Sequence, residues 1–431
     1  MIAIVFCLGF IAASPPGNPA ANLLILYTGN TLGELKPCGC AKEEDQGGIE
    51  RRAAYLKEVR AGHQNILLVD TGDSFKKPTT QGKLKARYLM KSMGQMDYDA
   101  VVPGDKDLVY GNRFFDEIPG IPWVAANLEL LPGLPIPAYR IKHLANGLKA
   151  AIVGLVDPGL FYVGDSADIR ITPPRESLRQ TLRQLRQREK PDLVLLLTHM
   201  QRETALSLLK VEGVDVIVNG HIDKATDLID MAPVQNNGRI FVQAAPRGQK
   251  VGELQVQVGP QTTRVFQHHL VKLDSHVKFD PEMLKLYEEY NEKIEEIFFA
   301  SVAAKKGKNK KTIYATETTC KPCHAKAHDI WSRSGHGRAY ETLKKVNKAF
   351  DPECLACHTV GFNRPGGFLS ETDSPDLANV QCEVCHGPAR AHTLAPRKGW
   401  SKNARKACGQ CHVKNHSPRF DFATYWPRIK H

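Results

Sequence analysis

The chain has 431 residues, more than one hydrophobic core usually holds, and its 42% apolar and 24% charged residues exclude a disordered or fibrous protein. The formal charge of +12 is uneven: residues 301–431 hold 23 Lys and Arg against 10 Asp and Glu, while the remainder is nearly balanced. Eight of the eleven cysteines lie in that basic last third, so the charge must be read together with them.

Taken in chain order, residues 1–14 read as the apolar part of a secretory signal ending in small residues, which implies a periplasmic or extracellular protein. Cys7 lies inside this run and is read as signal material. From residue 22 to about 275, short apolar runs alternate with loops and amphipathic stretches. They are Leu23–Tyr27, Ile66–Asp70, Ala100–Pro103, Trp123–Leu128, Ala150–Val156, Leu193–His199, Val214–Asn219 and Ile240–Ala244, with Glu176–Arg188 as a helical stretch. That alternation predicts a layered α/β domain. Sites in such sheets gather beyond the carboxyl ends of the strands, where this chain has Asn30, Asp73, Asp105, His199, His221 and Asp223.

These positions lie in Gly72-Asp73, Tyr98-Asp99-Ala100-Val101 leading to Gly104-Asp105-Lys106-Asp107, Thr198-His199, and Val214-Asp215-Val216-Ile217 leading to Gly220-His221. On those strings the region resembles the calcineurin-like metallophosphoesterases, in the 5′-nucleotidase and sulfur-oxidising thiohydrolase branch. The resemblance implies a cleft for two metals that share one bridging Asp, the position of Asp73. It also implies that Asp73, Asp105, His199 and His221 keep one metal position, with Asp105 where the family has Asn. The other position is degraded: Asn30-Thr31-Leu32 stands for Asp-x-His, Asp223 for the last His of Gly-His-x-His, and Lys106 for the family's catalytic His. Two-metal hydrolysis needs both ions and a nearby acid, and a lysine serves as that acid at neutral pH only with a strongly lowered pKa. The expectation is a non-hydrolytic domain that docks a partner or holds a single divalent metal.

Cys38-Gly39-Cys40 follows the degraded first motif. The spacing is too short for easy disulfide geometry and suits two thiolates on a soft metal, a redox pair or a sulfur-handling site, with reduced or separately bonded cysteines as the plain alternative. Residues 276–311 read as a helix, with Leu284, Tyr287, Tyr290, Ile294 and Phe298 at helical spacing over Asp280–Phe299, followed by the basic run Lys305–Lys311, a hydrated linker.

Residues 312–431 hold four C-x-x-C-H strings: Cys320, Cys323 and His324; Cys354, Cys357 and His358; Cys382, Cys385 and His386; Cys408, Cys411 and His412. Two thiols at this spacing each add to a haem vinyl group, and the next histidine becomes the iron's proximal ligand. Zinc would not need a histidine after every pair, so the strings predict four covalent c-type haems packed in a mainly α-helical domain. Haem propionates account for the basic excess, and nucleic acid is not expected as a partner. Five further histidines, His328, His336, His392, His416 and His431, could complete the iron coordination.

Trp331-x-x-Ser334-x-His336-x-x-Ala339, Val380-Gln381-Cys382-Glu383-x-x-Cys385-His386-Gly387-Pro388 with His392 beyond it, and Ser417-Pro418-x-Phe420-Asp421-Phe422 before Tyr425-Trp426 and His431 resemble the tetrahaem cytochromes of the nitrifier, hydroxylamine-oxidoreductase-linked family. The resemblance implies His336, His392 and His431 as distal ligands. His328 and His416 stay open between iron ligation and ordinary solvated roles, and if neither ligates, one iron is five-coordinate. The resulting expectation is an electron carrier serving redox partners such as other cytochromes or an oxidoreductase, in a membrane-associated complex or as a homo-oligomer. The alternatives are a haem or metal/thiol redox enzyme acting on a small nitrogen or sulfur compound, and a metal-dependent phosphoesterase or nucleotidase fused to a cytochrome. If the chain is an enzyme, an oxidoreductase is expected rather than a hydrolase.

Overall fold

A computed structural model describes residues 21–131, 133, 135–161, 168–222, 232–259, 263–307, 312–400 and 405–431. The signal-like segment, Asp223 and Lys308–Lys311 of the basic run lie outside them. The chain forms two compact units.

The first unit comprises the segments ending at Leu32, Lys57–Ser74 and Asp97–Val271. Its strands are β1 (Ala21–Thr28), β2 (Ile66–Asp70), β3 (Ala100–Val101), β4 (Leu128–Leu130), β5 (Tyr139–His143), β6 (Lys149–Val156), β7 (Ile169–Ile171), β8 (Leu193–His199), β9 (Val216–Asn219), β10 (Val234–Asn236), β11 (Arg239–Gln243), β12 (Lys250–Val258) and β13 (Thr263–Lys272). They build a five-stranded sheet in the order β13-β12-β1-β2-β3, a six-stranded sheet in the order β10-β11-β9-β8-β6-β5, and the small pair β4-β7. The runs LVLLLTH in β8 and VIVN in β9 are buried along their whole length, the signature of parallel strands covered on both faces. Against one face of β6 and β8 lie Leu178, Leu182 and Leu185 from the helix Pro174–Gln184 and the turn after it, giving a core with Val153, Leu155, Leu196 and Ile217. The predicted helix Glu176–Arg188 starts two residues earlier, because Pro174 supplies a ready helical φ in the first turn. The predicted strand Ala100–Pro103 is shorter, since β3 pairs with β2 only at Ala100 and Val101.

Parallel registers bring the strand ends together. Thr28 lies beside Asp70 across β1 and β2, and Thr198 beside Asn219 across β8 and β9. The last residue of β8 and the loops leaving β2, β3 and β9 therefore deliver His199, Asp73, Asp105 and His221 to one place.

The second unit comprises Gly33–Leu56, Phe75–Met96 and Lys272–His431. Its longest element is the helix Pro281–Lys305, capped by Asp280, whose carboxylate accepts the Glu282 and Met283 N–H groups. The helix buries Met283, Leu286, Tyr290, Ile294, Phe298 and Val302 at helical spacing and meets the helix Thr80–Gln95 through Tyr88 against Tyr290. Gln81 in the latter helix donates to Tyr290 Oη at 3.1 Å and to Asp351 Oδ1 at 2.8 Å, tying in the start of Pro352–His358, the helix of the second haem motif.

The rest of this unit is short helices. Glu317–Cys320, Ala325–Arg333, Arg390–Leu394, Arg405–Cys408 and Phe422–Tyr425 bury none of their residues. No described helix is long and apolar enough to cross a membrane.

Candidate functional site

In the α/β unit, one donor atom each from Asp73, Asp105, His199 and His221 lie within 4.8 Å of one another. His199 is fully buried, and its Nδ1 lies 2.7 Å from the Thr71 carbonyl, which directs Nε2 toward Asp105 Oδ1 at 3.1 Å and Asp73 Oδ1 at 3.4 Å. A second-row carbonyl of this kind fixes the orientation and tautomer a ligating histidine needs. His221 Nδ1 reaches to 3.5 Å from Asp105 Oδ1. Burial disfavours charge on Asp105, but hydrogen bonds from His199 and His221 and the Lys106 charge outweigh it and hold the carboxyl well below its usual range. The same carboxylates raise the pKa of His199 against the opposing effect of burial.

The backbone leaves room for the cluster. Asp73 takes a left-handed conformation, φ +56°, which aims its carboxylate into the cleft. A Cβ at Gly104 would fall 2.5 Å from Asp73 Oδ1 and 2.8 Å from the His199 ring, so only glycine fits there. The donor set of two carboxylates and two imidazoles in this cradle fits one divalent metal ion. Lys106 behaves differently from a catalytic acid: its Nζ bonds Asp73 Oδ2, lies 3.6 Å from Asp105 Oδ2, and its pKa is raised, because those carboxylates outweigh its partial burial.

The sequence pointed to Asp105 and not to its neighbour Asp107. Asp107 is fully buried and accepts N–H bonds from Gly104, Asp73 and Ser74, thereby setting the loop that carries both Asp73 and Asp105. Only its place in the string Gly104-Asp105-Lys106-Asp107 hinted at this. Asn30 is not a cleft donor in the described cluster; its amide nitrogen donates to Gly220 O at 2.8 Å.

In the second unit, the histidines of three C-x-x-C-H motifs each face a histidine from outside the motifs. Ring centroids are 6.4 Å apart for His324 and His392, 6.0 Å for His412 and His336, and 5.7 Å for His386 and His431. An ion bonded to both rings at about 2 Å requires centroids about 6 Å apart, so each pair has the spacing of a bis-imidazole iron site. Burial, then the facing His412, lowers the His336 pKa, and burial followed by His431 and His324 lowers that of His386; the neutral ring is the one that ligates. Buried His392 Nδ1 has no hydrogen-bond partner among the described residues, and its ring stacks on Trp400 at 4.9 Å. Beside His386 a cavity of about 540 Å³ is lined by Ile313, Pro388, Leu394 and Trp400 among others, an apolar setting that suits a macrocycle.

The fourth motif histidine, His358, has its Nδ1 2.7 Å from the Ala339 carbonyl, and among the described residues no second imidazole faces it. His328 is engaged by Glu317, and His416 lies with Cys38 and Cys40. Thiols of different motifs also meet: the Cys382 sulfur, with burial, pushes the Cys320 thiol up, and Cys411 lowers Cys357 to about 7.

Cys38 and Cys40 are paired as a disulfide, the oxidised form of the redox pair that their spacing left open. Gly39 between them adopts φ +70°, and the Cα atoms stand 5.4 Å apart, within the ordinary disulfide span. Glu383, inside the third motif, is a buried residue that its motif position did not single out; its carboxylate accepts the N–H groups of Ala315, Thr316 and Ala389.

The sheets and the cleft define the first unit as a calcineurin-like phosphoesterase fold of the 5′-nucleotidase type, and residues 319–387 of the second match the family cytochrome c554 and c-prime. The chain is thus similar to 5′-nucleotidases over its first unit and to cytochrome c554 over residues 319–387 of its second. It is 23% identical to the trifunctional nucleotide phosphoesterase YfkN of Bacillus subtilis, over 66% of this chain and 21% of that one. To cytochrome c-554 of Nitrosomonas europaea it is 29% identical, over 22% of this chain and 55% of the relative. The solved 5′-nucleotidase precursor of Thermus thermophilus superposes with a TM-score of 0.57 at 20% identity, covering 64% of this chain and 59% of that one. The chain thus spans only part of each relative, about a fifth of the first and just over half of the second.

Proposed function

We propose that the chain is a secreted carrier of electrons through four covalently bound c-type haems, and that its α/β domain is a non-hydrolytic support holding one divalent ion. The observation that carries this reading is the set of three facing imidazole pairs, each built from one C-x-x-C-H motif and one distant histidine. When bound, haem would supply one-electron oxidation and reduction, and at three of the four motifs a second imidazole stands ready to close the iron's remaining position. The chain's own part is to hold and shield: eight thiols anchor the four groups, His324, His386 and His412 are met by His392, His431 and His336, and Trp400 and Phe420 stack on His392 and His412. Secretion belongs to the proposal because both resemblances are to families of exported proteins and the leading residues read as a signal. Redox proteins are the proposed partners, and no nucleic acid is.

His358, with one side unfaced by histidine among the described residues, favours a second reading, a haem enzyme that binds a small nitrogen or sulfur compound there. The convergence of Asp73, Asp105, His199 and His221 supports a phosphoesterase reading in turn, which the Lys106 contact to Asp73 opposes. The deciding experiment is a haem count by alkaline pyridine spectroscopy, with low-temperature electron paramagnetic resonance of the oxidised protein before and after adding nitrite, hydroxylamine or sulfite. The carrier reading expects four haems, three low-spin irons and one high-spin iron that none of the three compounds alters. A high-spin signal that shifts with one compound selects the enzyme reading, and Mn²⁺-dependent release of phosphate from nucleotides selects the hydrolase.

A further inference from the structure

The Asp73 carboxylate presents two oxygens to two different surroundings. Oδ1 faces His199 Nε2 at 3.4 Å and accepts the Lys106 N–H at 3.0 Å, while Oδ2 is taken by the Lys106 ammonium. The carboxylate is nearly fully buried, so it needs a counter-charge from somewhere. Among the described residues, the positions that could serve a second ion offer no free donor: Leu32 is apolar, and Asn30 turns its amide nitrogen to the Gly220 carbonyl. Lys106 is held in place from both ends, its backbone N–H on Asp73 and its Nζ within 3.6 Å of Asp105 as well.

We propose that the Lys106 ammonium is a built-in replacement for the second cation, limiting the cleft to one divalent ion bound by Asp73, Asp105, His199 and His221 and weakening the hold on that ion. This rests on the one-ion reading given above and adds what occupies the second position and what sets the affinity. The ammonium neutralises the bridging carboxylate permanently, so the loop around Asp73 is stable without metal. It also sits as a positive charge against any ion entering the cleft, which Coulomb's law translates into looser binding.

The experiment uses the full-length, haem-loaded protein stripped of divalent ions, with Mn²⁺ as the probe. Equilibrium dialysis with elemental analysis gives ions bound per chain, and thermal melting of the metal-free protein reads the counter-charge. One Mn²⁺ per wild-type chain is expected. Lys106→Met should bind that ion about tenfold tighter or more and melt at a lower temperature when metal-free, with Mn²⁺ restoring the lost stability. Lys106→Arg, which keeps the charge, should stay close to wild type in both. Two Mn²⁺ in the wild type would overturn the proposal, as would a Lys106→Met variant unchanged in both affinity and metal-free melting. If Lys106→Met fails to fold, the wild-type stoichiometry and Lys106→Arg decide alone. Should neither protein take up Mn²⁺ while Lys106→Met melts lower, Lys106 keeps its role as counter-charge and the one-ion reading falls.

Discussion

In the α/β unit, β8 and β9 are buried from end to end, whereas five helices of the haem-motif unit bury none of their residues. The first covers its apolar strands with its own side chains: Leu178, Leu182, Leu196 and Phe241 close one side of a sheet. Around the four motifs, by contrast, all eight thiols are at least partly accessible, and histidines face one another across gaps of an iron's width. A dense apolar core is specified by sequence alone, while a cofactor-packed domain is specified by anchors and leaves the filling to the cofactor.

The largest test of this contrast removes the filling. Produced without haem attachment, the chain should lose amide-exchange protection throughout residues 312–400 and keep it in β6, β8 and β9; equal protection in both regions would break the comparison. The next acts on the side that packs itself. Leu196→Ala should cost about 2–5 kcal/mol of α/β stability, measured by amide exchange in β8, with haem absorbance unchanged. Within the second unit, the buried carboxylate of Glu383 is one place where the chain does fasten itself, and Glu383→Ala should cost about 1–3 kcal/mol for each N–H left without an acceptor, read as earlier thermal loss of the haem spectrum. The smallest effect belongs to Cys38→Ser with Cys40→Ser. The loop they close is minimal, so about 1–2 kcal/mol is expected by denaturant unfolding, and a larger loss would reveal a role beyond cross-linking.

What was legible in the sequence follows the same division. Strand positions came from short apolar runs, and the cleft residues from their places after those runs, because parallel strands deliver their ends to one side. The four C-x-x-C-H strings were legible because each is local, five residues long. Residues that act through non-local geometry were not: Asp107 and Glu383 look like ordinary charged loop residues until the N–H groups they accept are seen. Lys106 was visible as a departure from the resemblance, but its contact with Asp73 needed the fold. The state of Cys38 and Cys40 stayed open between a metal site, a redox pair and ordinary cysteines, because the spacing alone does not show whether the two sulfurs meet. That two early segments, Gly33–Leu56 and Phe75–Met96, belong with the second unit was invisible to composition.

The position of β1 sets the timing of folding. It lies between β2 and β12, with Ala21 opposite Val258, so the first described strand waits for nearly the whole α/β unit before its antiparallel partner exists. Contacts this distant along the chain make for high contact order and slow folding. A polypeptide emerging end first would carry an open edge on β1 until β12 arrives, and in that interval the edge is exposed to strand-pairing with other chains.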